Sequence, residues 1–293
     1  MKNKRFFAFG CSFTKYEWPT WADIIARDYD HFENWGLPGC GNHFIFNSLM
    51  ECIQRNAINK DDTVMLCWSS ITREDRYIKD RWLQAGNIFT TIEYPQSWVK
   101  QFITERGCLI RDLALIKAAE LVLKQLGCKY KFFSIVPINY DMVDKSRTEH
   151  PDVIALYSDV LAQICPSYFE VIFDFEWTSR YSDFSRKMIE SKNKDFKKRY
   201  NLCAGPDWPT FEDACNRNWY EKTNDPIHNE IKNIFPFDFF EVKRDYHPTP
   251  LEHLEYLQAV APDIAIPDST VAWLENYKLG DDFKFHSNRL RRL

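Results

Sequence analysis

The sequence predicts an α/β fold in which a parallel sheet of five strands is layered with helices. Three observations predict it: short apolar runs typical of strands buried on both faces, intervening segments with helical spacing of apolar residues, and turn-forming residues at the junctions. A repeated order of strand, loop and helix is typical of parallel sheets, because each crossover returns the chain through a helix. With 293 residues, 45% of them hydrophobic, the chain can fill the core of one large domain, which we expect to span residues 1–293.

The strands and helices follow from the apolar pattern in chain order. The first strand begins at Arg5 and stops before Gly10, and the other predicted strands are residues 32–35, 63–68, 131–136 and 169–173. The predicted helices are residues 18–29, 44–58, 108–126, 153–164, 251–260 and 269–277. The helix at 108–126 has the clearest period, with its apolar residues on one face and Gly127 as a stop signal.

Two long segments lack this regular pattern. Residues 69–105 have no clear period, which predicts a long loop with one short helix. Between residues 174 and 242 charged and aromatic residues dominate, and a connection of about 70 residues is far longer than the usual link within a compact domain. We therefore predict an inserted lid or specificity region at about 174–242. Its basic run at 192–199 is compatible with an anionic substrate or with the solvated face of a helix.

The charge balance gives no general reason to expect a polyanionic partner. Lys and Arg number 38 against 42 Asp and Glu, for a net charge of −4, so neither nucleic acid nor an acidic membrane is predicted. The aromatic share is 16%, including ten Trp. Some of these rings must fill the core, and an excess of this size also suits a cleft that stacks rings on sugars or other flat ligands.

The cysteines and the hydropathy pattern favour a cytoplasmic protein. The nine cysteines are an odd number and include no C-x-x-C pair, and Met1–Arg5 runs into the first strand without a signal-peptide pattern. We therefore expect reduced, buried thiols. No apolar run approaches the roughly 18 residues that a membrane span needs.

The candidate catalytic residues follow the first and the last predicted strands of the sequence. Ser12 follows Gly10, where the first strand hands over to a helix, and Asp245 and His247 come after the last strand. A serine hydroxyl is a poor nucleophile, so it requires a base such as His247 and a carboxylate such as Asp245 to hold that base in one tautomer. Each residue also has a simpler interpretation, because Ser12 can cap a helix and Asp245 can cap the chain before Pro248.

Acyl transfer also requires hydrogen-bond donors for the developing oxyanion. The backbone amide of Ser12 is one candidate, and Gly39 is the second because glycine permits close approach and a positive φ. The alternative is that Gly36, Gly39 and Gly41 form only a tight turn. Because neighbouring strand residues point to opposite faces, we expect Cys11 to face the core if Ser12 faces the site.

Three segments resemble the first, second and fifth sequence blocks of the SGNH/GDSL hydrolase family. They are residues 9–14 (FGCSFT), 34–39 (NWGLPG) and 245–248 (DYHP), and the resemblance covers residues 5 to about 175 and 240 to 262. It implies a flavodoxin-like, three-layer α/β/α fold with five parallel strands. It also implies esterase, lipase or carbohydrate deacetylase activity without a metal or a cofactor.

The same match implies a role for each residue of the site. Ser12 would be the nucleophile, Gly39 an oxyanion donor, His247 the base and Asp245 its orienting carboxylate. The usual fifth block has Asp three residues before His, and Arg244 occupies that position here. The carboxylate role therefore falls to Asp245, which lies two residues before His247.

A second departure concerns the third block, which is Gly-x-Asn-Asp after the third strand in the family. Here residues 68–73 read WSSITR, without an Asn. Ser70 or Thr72 can supply a hydroxyl donor instead, or Asn42 can reach in from the neighbouring loop to bind substrate. We favour Ser70, for which an ordinary loop cap is the alternative. Loss of one oxyanion donor without replacement lowers turnover by about a hundred- to a thousandfold.

These features predict a serine esterase that removes a small acyl group, most simply acetyl, from a carbohydrate or another polar alcohol. An O-acyltransferase that resolves the same acyl-serine with a sugar hydroxyl is an alternative, as is a non-catalytic binding protein with a degenerate site. The expected partner is a small-molecule or glycan ester. The spacing of His253 from His247 does not suit a helical metal pair, so no metal or other cofactor is predicted.

Overall fold

The computed structural model describes residues 4–89, 91, 93–141, 146–147, 150–173, 247–277 and 281–283. The chain divides into two compact units, Met1–Ile172 with Pro248–Leu293, and Phe173–His247. The predicted insertion at 174–242, its basic run and Asp245 lie outside the described residues. In the second unit only Phe173 and His247 are described.

The described elements of the first unit alternate between strands and helices as far as β3, after which strands and helices come in groups. The strands are β1 (Arg5–Phe9), β2 (His31–Asn34), β3 (Thr63–Trp68), β4 (Tyr77–Ile78), β5 (Arg81–Trp82), β6 (Lys129–Ser134), β7 (Tyr140–Asp141) and β8 (Ser146–Arg147). The helices are α1 (Trp21–Ala26), α2 (Asn42–Asn56), α3 (Gln96–Phe102), α4 (Glu105–Leu126), α5 (Pro151–Leu156), α6 (Ser158–Leu161), α7 (Tyr168–Val171), α8 (Pro250–Val260) and α9 (Asp268–Asn276).

In the described ranges the main sheet contains four parallel strands in the order β2, β1, β3, β6. In this register Phe9 of β1 pairs with Leu66 of β3, and Ala8 pairs with Asn34 of β2. The carboxyl ends of all four strands therefore lie at one edge of the sheet, which is where open α/β folds bind ligands. Two short antiparallel pairs, β4 with β5 and β7 with β8, stand apart from this sheet.

Helices pack on both faces of the sheet because the strands are apolar on both faces. On one face Phe7, Phe9 and Leu66 share a buried cluster with residues of α2 and α4. On the other face Trp21 of α1 contacts Phe6 and Phe133, with ring centroids 6.4 and 5.0 Å apart. Large aromatic rings therefore supply much of the core, as the composition indicated.

Among the residues that the structure describes, the main sheet has four strands, and the predicted fifth strand is not confirmed. Residues 169–173, predicted as the fifth strand, include most of α7, whose start is fixed by a capping box between Ser167 and Glu170. In the described part of the chain, the edge beside β6 carries an isolated parallel bridge between Phe132 and Ile164. A short apolar run is ambiguous between strand and helix, and here the local cap decides in favour of the helix.

The other predicted elements are present with shifted ends. β3 spans its predicted residues, and α4 ends before Gly127, which adopts a left-handed φ of 68°. The helix predicted at 153–164 is divided into α5 and α6, and the segment 69–105 contains the β4–β5 hairpin as well as α3. Of the helices that the structure describes, none is long and apolar enough to cross a membrane.

Candidate active site

Ser12 lies in a tight turn directly after β1. The amides of Thr14 and Lys15 both donate to the carbonyl of Cys11 at 3.0 Å, which turns the chain away from the strand direction. A Cβ atom on Gly10 would stand 2.0 Å from Thr14 Oγ1, so this turn requires glycine. Ser12 is 6% exposed, and its hydroxyl makes one described contact, to Cys11 Sγ at 3.8 Å.

Gly39 lies in the second loop, which connects β2 to α2. Its φ of 78° is in the left-handed region, and a Cβ atom would stand 3.1 Å from Gln84 Cβ, so a side chain here is both strained and crowded. The carbonyl of Gly39 accepts from Gly86 at 3.1 Å. Within the described part of the chain, the backbone amides of Gly39 and Ser12 have no hydrogen-bond partner. The two predicted oxyanion donors are thus uncommitted.

The turn that contains Ser12, which is the first loop, is joined to the second loop by short hydrogen bonds. The amide of Leu37 donates to the carbonyl of Gly10 at 3.0 Å. The side chain of Asn34, at the end of β2, donates from Nδ2 to the carbonyl of Thr14 at 2.7 Å and accepts from the amide of Gly36 at 3.0 Å. Asn34 therefore fixes the Ser12 loop against the Gly39 loop.

The third loop, residues 69–75, follows β3 and is attached to the second loop by Asn42. The Oδ1 atom of Asn42 accepts from the amide of Ser69 at 2.7 Å, while Nδ2 donates to the carbonyl of Ser69 at 3.0 Å and to Asp112 Oδ2 at 2.7 Å. Asn42 is fully buried. The sequence predicts Asn42 as a substrate-binding residue. In the structure all of its side-chain amide atoms form hydrogen bonds within the protein.

Ser70, the predicted third oxyanion donor, is buried in the same loop. Its hydroxyl lies 2.8 Å from Thr72 Oγ1 and accepts from the amide of Thr72 at 3.3 Å. Two neighbouring polar atoms, Trp68 Nε1 and Ser69 Oγ, are buried without a hydrogen-bond partner in the part of the chain that the structure describes. Buried polar atoms are normally paired, so the carboxyl end of β3 has an excess of unpaired polar groups.

Asp75 caps the amino terminus of α2 from the third loop. Its carboxylate accepts from the amides of Gly41 at 2.7 Å and Phe44 at 2.8 Å, which supplies the cap that Gly41 cannot provide with a side chain. Burial raises the pKa of Asp75, and these two amides oppose the rise. A further contact, from the Arg73 guanidinium to the carbonyl of Cys40 at 2.8 Å, joins the same two loops.

A partly buried ion pair on α4, formed by Arg111 and Asp112, is hydrogen-bonded to the third loop. Arg111 donates from Nε to Asp112 Oδ1 at 2.6 Å and from Nη2 to the carbonyls of Ile71 at 3.2 Å and Arg73 at 2.9 Å. Asp112 is fully buried, and desolvation raises its pKa to about 6 although Arg111 and Asn42 favour the charged form. The third loop is therefore attached to α2 on one side and to α4 on the other.

The predicted base and its carboxylate belong to the later part of the chain. His247 is half-buried and closes the second unit, and Asp245 lies outside the described residues. The next residue, Pro248, belongs to the first unit, and its carbonyl accepts from Trp18 Nε1 at 2.8 Å. His253 is buried in α8, with Nδ1 2.7 Å from the hydroxyl of Tyr168, so it contributes to the packing of α8 against α7.

The described cysteines are buried or partly buried, free thiols. Cys11 is fully buried, in agreement with the expectation that it faces the core, and burial raises the pKa of Cys67 well above its ordinary value. Among the described residues no group of His, Cys, Asp and Glu side chains is arranged to hold a metal ion.

No family model matches this chain. No curated protein matches it either. The resemblance to the SGNH/GDSL hydrolases therefore rests on the sequence blocks around Ser12, Gly39 and His247.

Sequence reasoning missed the residues that hold the loops together. Asp112 had a usable signal, because a carboxylate on the apolar face of α4, beside Leu109 and Leu113, requires a buried partner. Asp75 and Asn34 had no such signal, since their partners are backbone groups whose positions depend on the folded loops. These side chains determine how Ser12, Gly39 and Ser70 are presented.

Proposed function

We propose that this protein is a serine acyl hydrolase of the SGNH type that removes a small acyl group, most simply acetyl, from a carbohydrate or another polar alcohol. The observation that carries the proposal is the pair of uncommitted backbone amides of Ser12 and Gly39, in two loops fixed to each other at the carboxyl edge of the sheet. Ser12 is buried and Gly39 is partly buried, and backbone amides that are not used within the fold are the donors that an oxyanion requires.

In the proposed reaction Ser12 Oγ attacks the ester carbonyl carbon while His247 removes the hydroxyl proton. The amides of Ser12 and Gly39 stabilise the negative oxygen of the tetrahedral intermediate. Collapse of this intermediate breaks the ester bond, and His247 returns the proton to the departing alcohol. Water then attacks the acyl-serine by the same route, which releases the carboxylic acid and restores Ser12. Asp245 would hold His247 in the required tautomer.

The attachment of the chain next to His247 supports its role as the base. His247 is joined to Pro248 by a peptide bond, and the carbonyl of Pro248 is hydrogen-bonded to Trp18 in the segment that follows Ser12. A capping box between Thr249 and Glu252 then starts α8. The proposed reaction requires His247 to be held precisely, because a displacement of about 1 Å can cost about a hundredfold in rate.

Ser70 is the proposed replacement for the missing Asn of the third block. If the Thr72 hydroxyl is the donor in its contact with Ser70 Oγ, the Ser70 hydroxyl accepts two hydrogen bonds from Thr72, one from its hydroxyl and one from its amide. Its own proton is then available for a third partner, since a serine hydroxyl combines one donor with two acceptor sites. The proposed oxyanion site thus has two backbone donors and one hydroxyl donor.

The flavodoxin-like version of the fold is part of the same proposal. In such a fold a fifth strand would pair with β6, and the bridge between Phe132 and Ile164 occupies that edge of the sheet. The amide of Cys165 also donates to the carbonyl of Phe132 at 2.9 Å. We propose that this short extended piece is a reduced fifth strand.

The aromatic hairpin β4–β5 supports a sugar as the alcohol part of the substrate. The Tyr77 side chain is 47% exposed and meets Trp82 edge to face, with ring centroids 5.6 Å apart. Trp82 also contacts His43 in the first turn of α2, with ring centroids 5.8 Å apart. The hairpin therefore lies beside the helix that begins after the Gly39 loop, and exposed aromatic rings are suited to stacking on sugar faces.

The decisive experiment is covalent labelling of Ser12. Wild-type protein should hydrolyse p-nitrophenyl acetate and react with a fluorophosphonate probe, with the modification mapped by mass spectrometry to Ser12. The Ser12→Ala variant should lose both activities, whereas Cys11→Ala should keep them. If the folded wild-type protein is not labelled under conditions that label a known serine esterase, the hydrolase proposal is wrong and the non-catalytic alternative is favoured.

A second measurement separates hydrolysis from acyl transfer. If added sugar alcohols increase the release of p-nitrophenol and become acetylated, the acyl-serine is resolved by a hydroxyl acceptor instead of water.

A further inference from the structure

The side chain of Asn42 connects the second loop to the third at the sheet edge. It follows Gly39 by three residues and occupies the first position of α2, while its amide group bonds both backbone groups of Ser69. Ser69 directly follows the last residue of β3 and precedes Ser70. The position of Asn42 therefore determines the spacing between the Gly39 amide and the Ser70 hydroxyl.

Asp112 determines which way the Asn42 amide faces. A carboxylate can only accept hydrogen bonds, so Asp112 Oδ2 at 2.7 Å requires the Nδ2 atom of Asn42 on its side. Oδ1 of Asn42 must then face the amide of Ser69, as the 2.7 Å contact has it. The second oxygen of Asp112 accepts from Arg111 Nε at 2.6 Å, which in turn fixes the carboxylate.

The burial of this group shows that the arrangement is built into the fold. Asn42, Ser69 and Asp112 are each fully buried. An amide in such a place is stable only when its donors and its acceptor are all satisfied, and here they are. A hydrophobic residue would fill the space at position 42, but it would leave both backbone groups of Ser69 without partners.

We propose that Asn42 is a positioning residue of the candidate active site, and that Asp112 orients it. This inference rests on the proposed function. Asn42 does not touch the reacting atoms. It holds the third loop close enough to the Gly39 loop for both loops to donate to one oxyanion. In this way Asn42 would place a donor of the third loop where the missing third-block Asn would otherwise donate.

The test compares variants at position 42 with a matched amide on the same helix. Asn47 donates from Nδ2 to the carbonyl of His43 and is partly buried, but its bond stays within α2. In Asn42→Ala, kcat for p-nitrophenyl acetate should fall by about 10- to 100-fold, the range expected for a displacement of up to 1 Å. KM should change by less than about threefold, because the lost interaction acts in the transition state. Asn47→Ala should keep kcat within about twofold of the wild type.

A charge exchange provides the rescue. Asn42→Asp places two carboxylates in contact and should lower kcat at least as much as Asn42→Ala. Adding Asp112→Asn restores one donor and one acceptor across the contact and keeps acceptors for Arg111 Nε and the amide of Ser69, but the carbonyl of Ser69 still lacks the donor that Asn42 Nδ2 supplies. The double variant Asn42→Asp/Asp112→Asn should therefore recover only part of the activity, with a kcat above that of Asn42→Asp and below that of the wild type. It also serves if Asn42→Ala does not fold.

Two kinetic outcomes would overturn the inference, and a third comes from hydrogen exchange. One is a kcat for folded Asn42→Ala equal to that of Asn47→Ala, with near-UV circular dichroism confirming the fold. The other is a double variant no more active than Asn42→Asp although both are folded. Absence of Ser12 labelling in wild-type protein would instead remove the proposed function, and this inference with it. Hydrogen exchange at the amide of Ser69 should be slow in the wild type and faster in Asn42→Ala, and unchanged exchange would likewise overturn the inference.

Discussion

Replacement of Asp75 by alanine should destabilise the first unit by removing the cap of α2. The carboxylate accepts from two buried amides, those of Gly41 and Phe44, at 2.7 and 2.8 Å. Each buried donor left without a partner costs about 1–3 kcal/mol, which gives a loss of about 2–6 kcal/mol for the pair. The removal of a desolvated carboxylate, whose pKa burial raises, offsets part of this loss. We expect a net destabilisation of about 2–4 kcal/mol.

Urea unfolding followed by tryptophan fluorescence measures this quantity. The midpoint should fall while the slope of the free energy against urea stays constant, since the folded and unfolded states keep their exposed areas. Asp75→Asn should lose about half as much as Asp75→Ala, because the amide oxygen still accepts one hydrogen bond. In thermal unfolding each kcal/mol lowers Tm by about 2–4 °C for a unit of this size.

Asp152→Ala is the matched control. Asp152 also stands in the first turn of a helix, α5, but its ion pair with Arg106 is exposed to solvent. Exposed ion pairs contribute little to stability, so this variant should unfold at nearly the wild-type urea concentration. Equal stability of Asp75→Ala and Asp152→Ala would refute the conclusion that the Asp75 carboxylate holds the third loop to α2.

Two further predictions concern the substrate and pH. Tyr77→Ala should raise KM for acetylated sugars while leaving kcat/KM for p-nitrophenyl acetate unchanged, because the exposed ring would contact only the sugar; equal effects on both substrates would argue against a stacking role. Burial raises the pKa of Asp23 to about 6 from an ordinary value of 3.8, so the protonated form favours folding, and this contribution is lost as pH rises from about 4 through 6. The free energy of unfolding of Asp23→Asn, relative to that of the wild type, should therefore be higher at pH 7 than at pH 4, by at most about 3 kcal/mol. Urea unfolding at both pH values measures this difference, and a difference that does not change with pH would contradict the assigned shift.

The elements that the sequence predicted well carry their signal locally. β3 is apolar at nearly every position and is buried along its whole length, so its pattern specifies a strand between helix-covered faces. α4 combines a long apolar period with Gly127, whose left-handed φ ends the helix. Residues 169–173 carried a weaker signal, and the capping box at Ser167 and Glu170 was the local feature that separated helix from strand.

The candidate site likewise contains features that depend on the local sequence and features that depend on distant residues. The turns around Ser12 and Gly39 are predictable because each depends on a glycine and its neighbours in the chain. The partner of Asn42 is not, since Asp112 lies 70 residues away and the contact forms only after α2 and α4 have packed together. A single sequence contains no record of which distant polar groups will meet, although it does show that a buried Asp will need a partner.

The distribution of hydrogen bonds at the sheet edge explains why the proposed chemistry centres on Ser12. Three side chains at this edge form hydrogen bonds with backbone groups of the loops, as expected of a structural network: Asn34, Asn42 and Asp75. In the same place the amides of Ser12 and Gly39 have no partner in the described part of the chain. A protein that satisfies so many neighbouring groups with dedicated side chains has the means to satisfy these two as well. We therefore interpret the two unpaired amides as reserved for an external acceptor, and an ester carbonyl that becomes an oxyanion is the acceptor that the adjacent Ser12 hydroxyl would create.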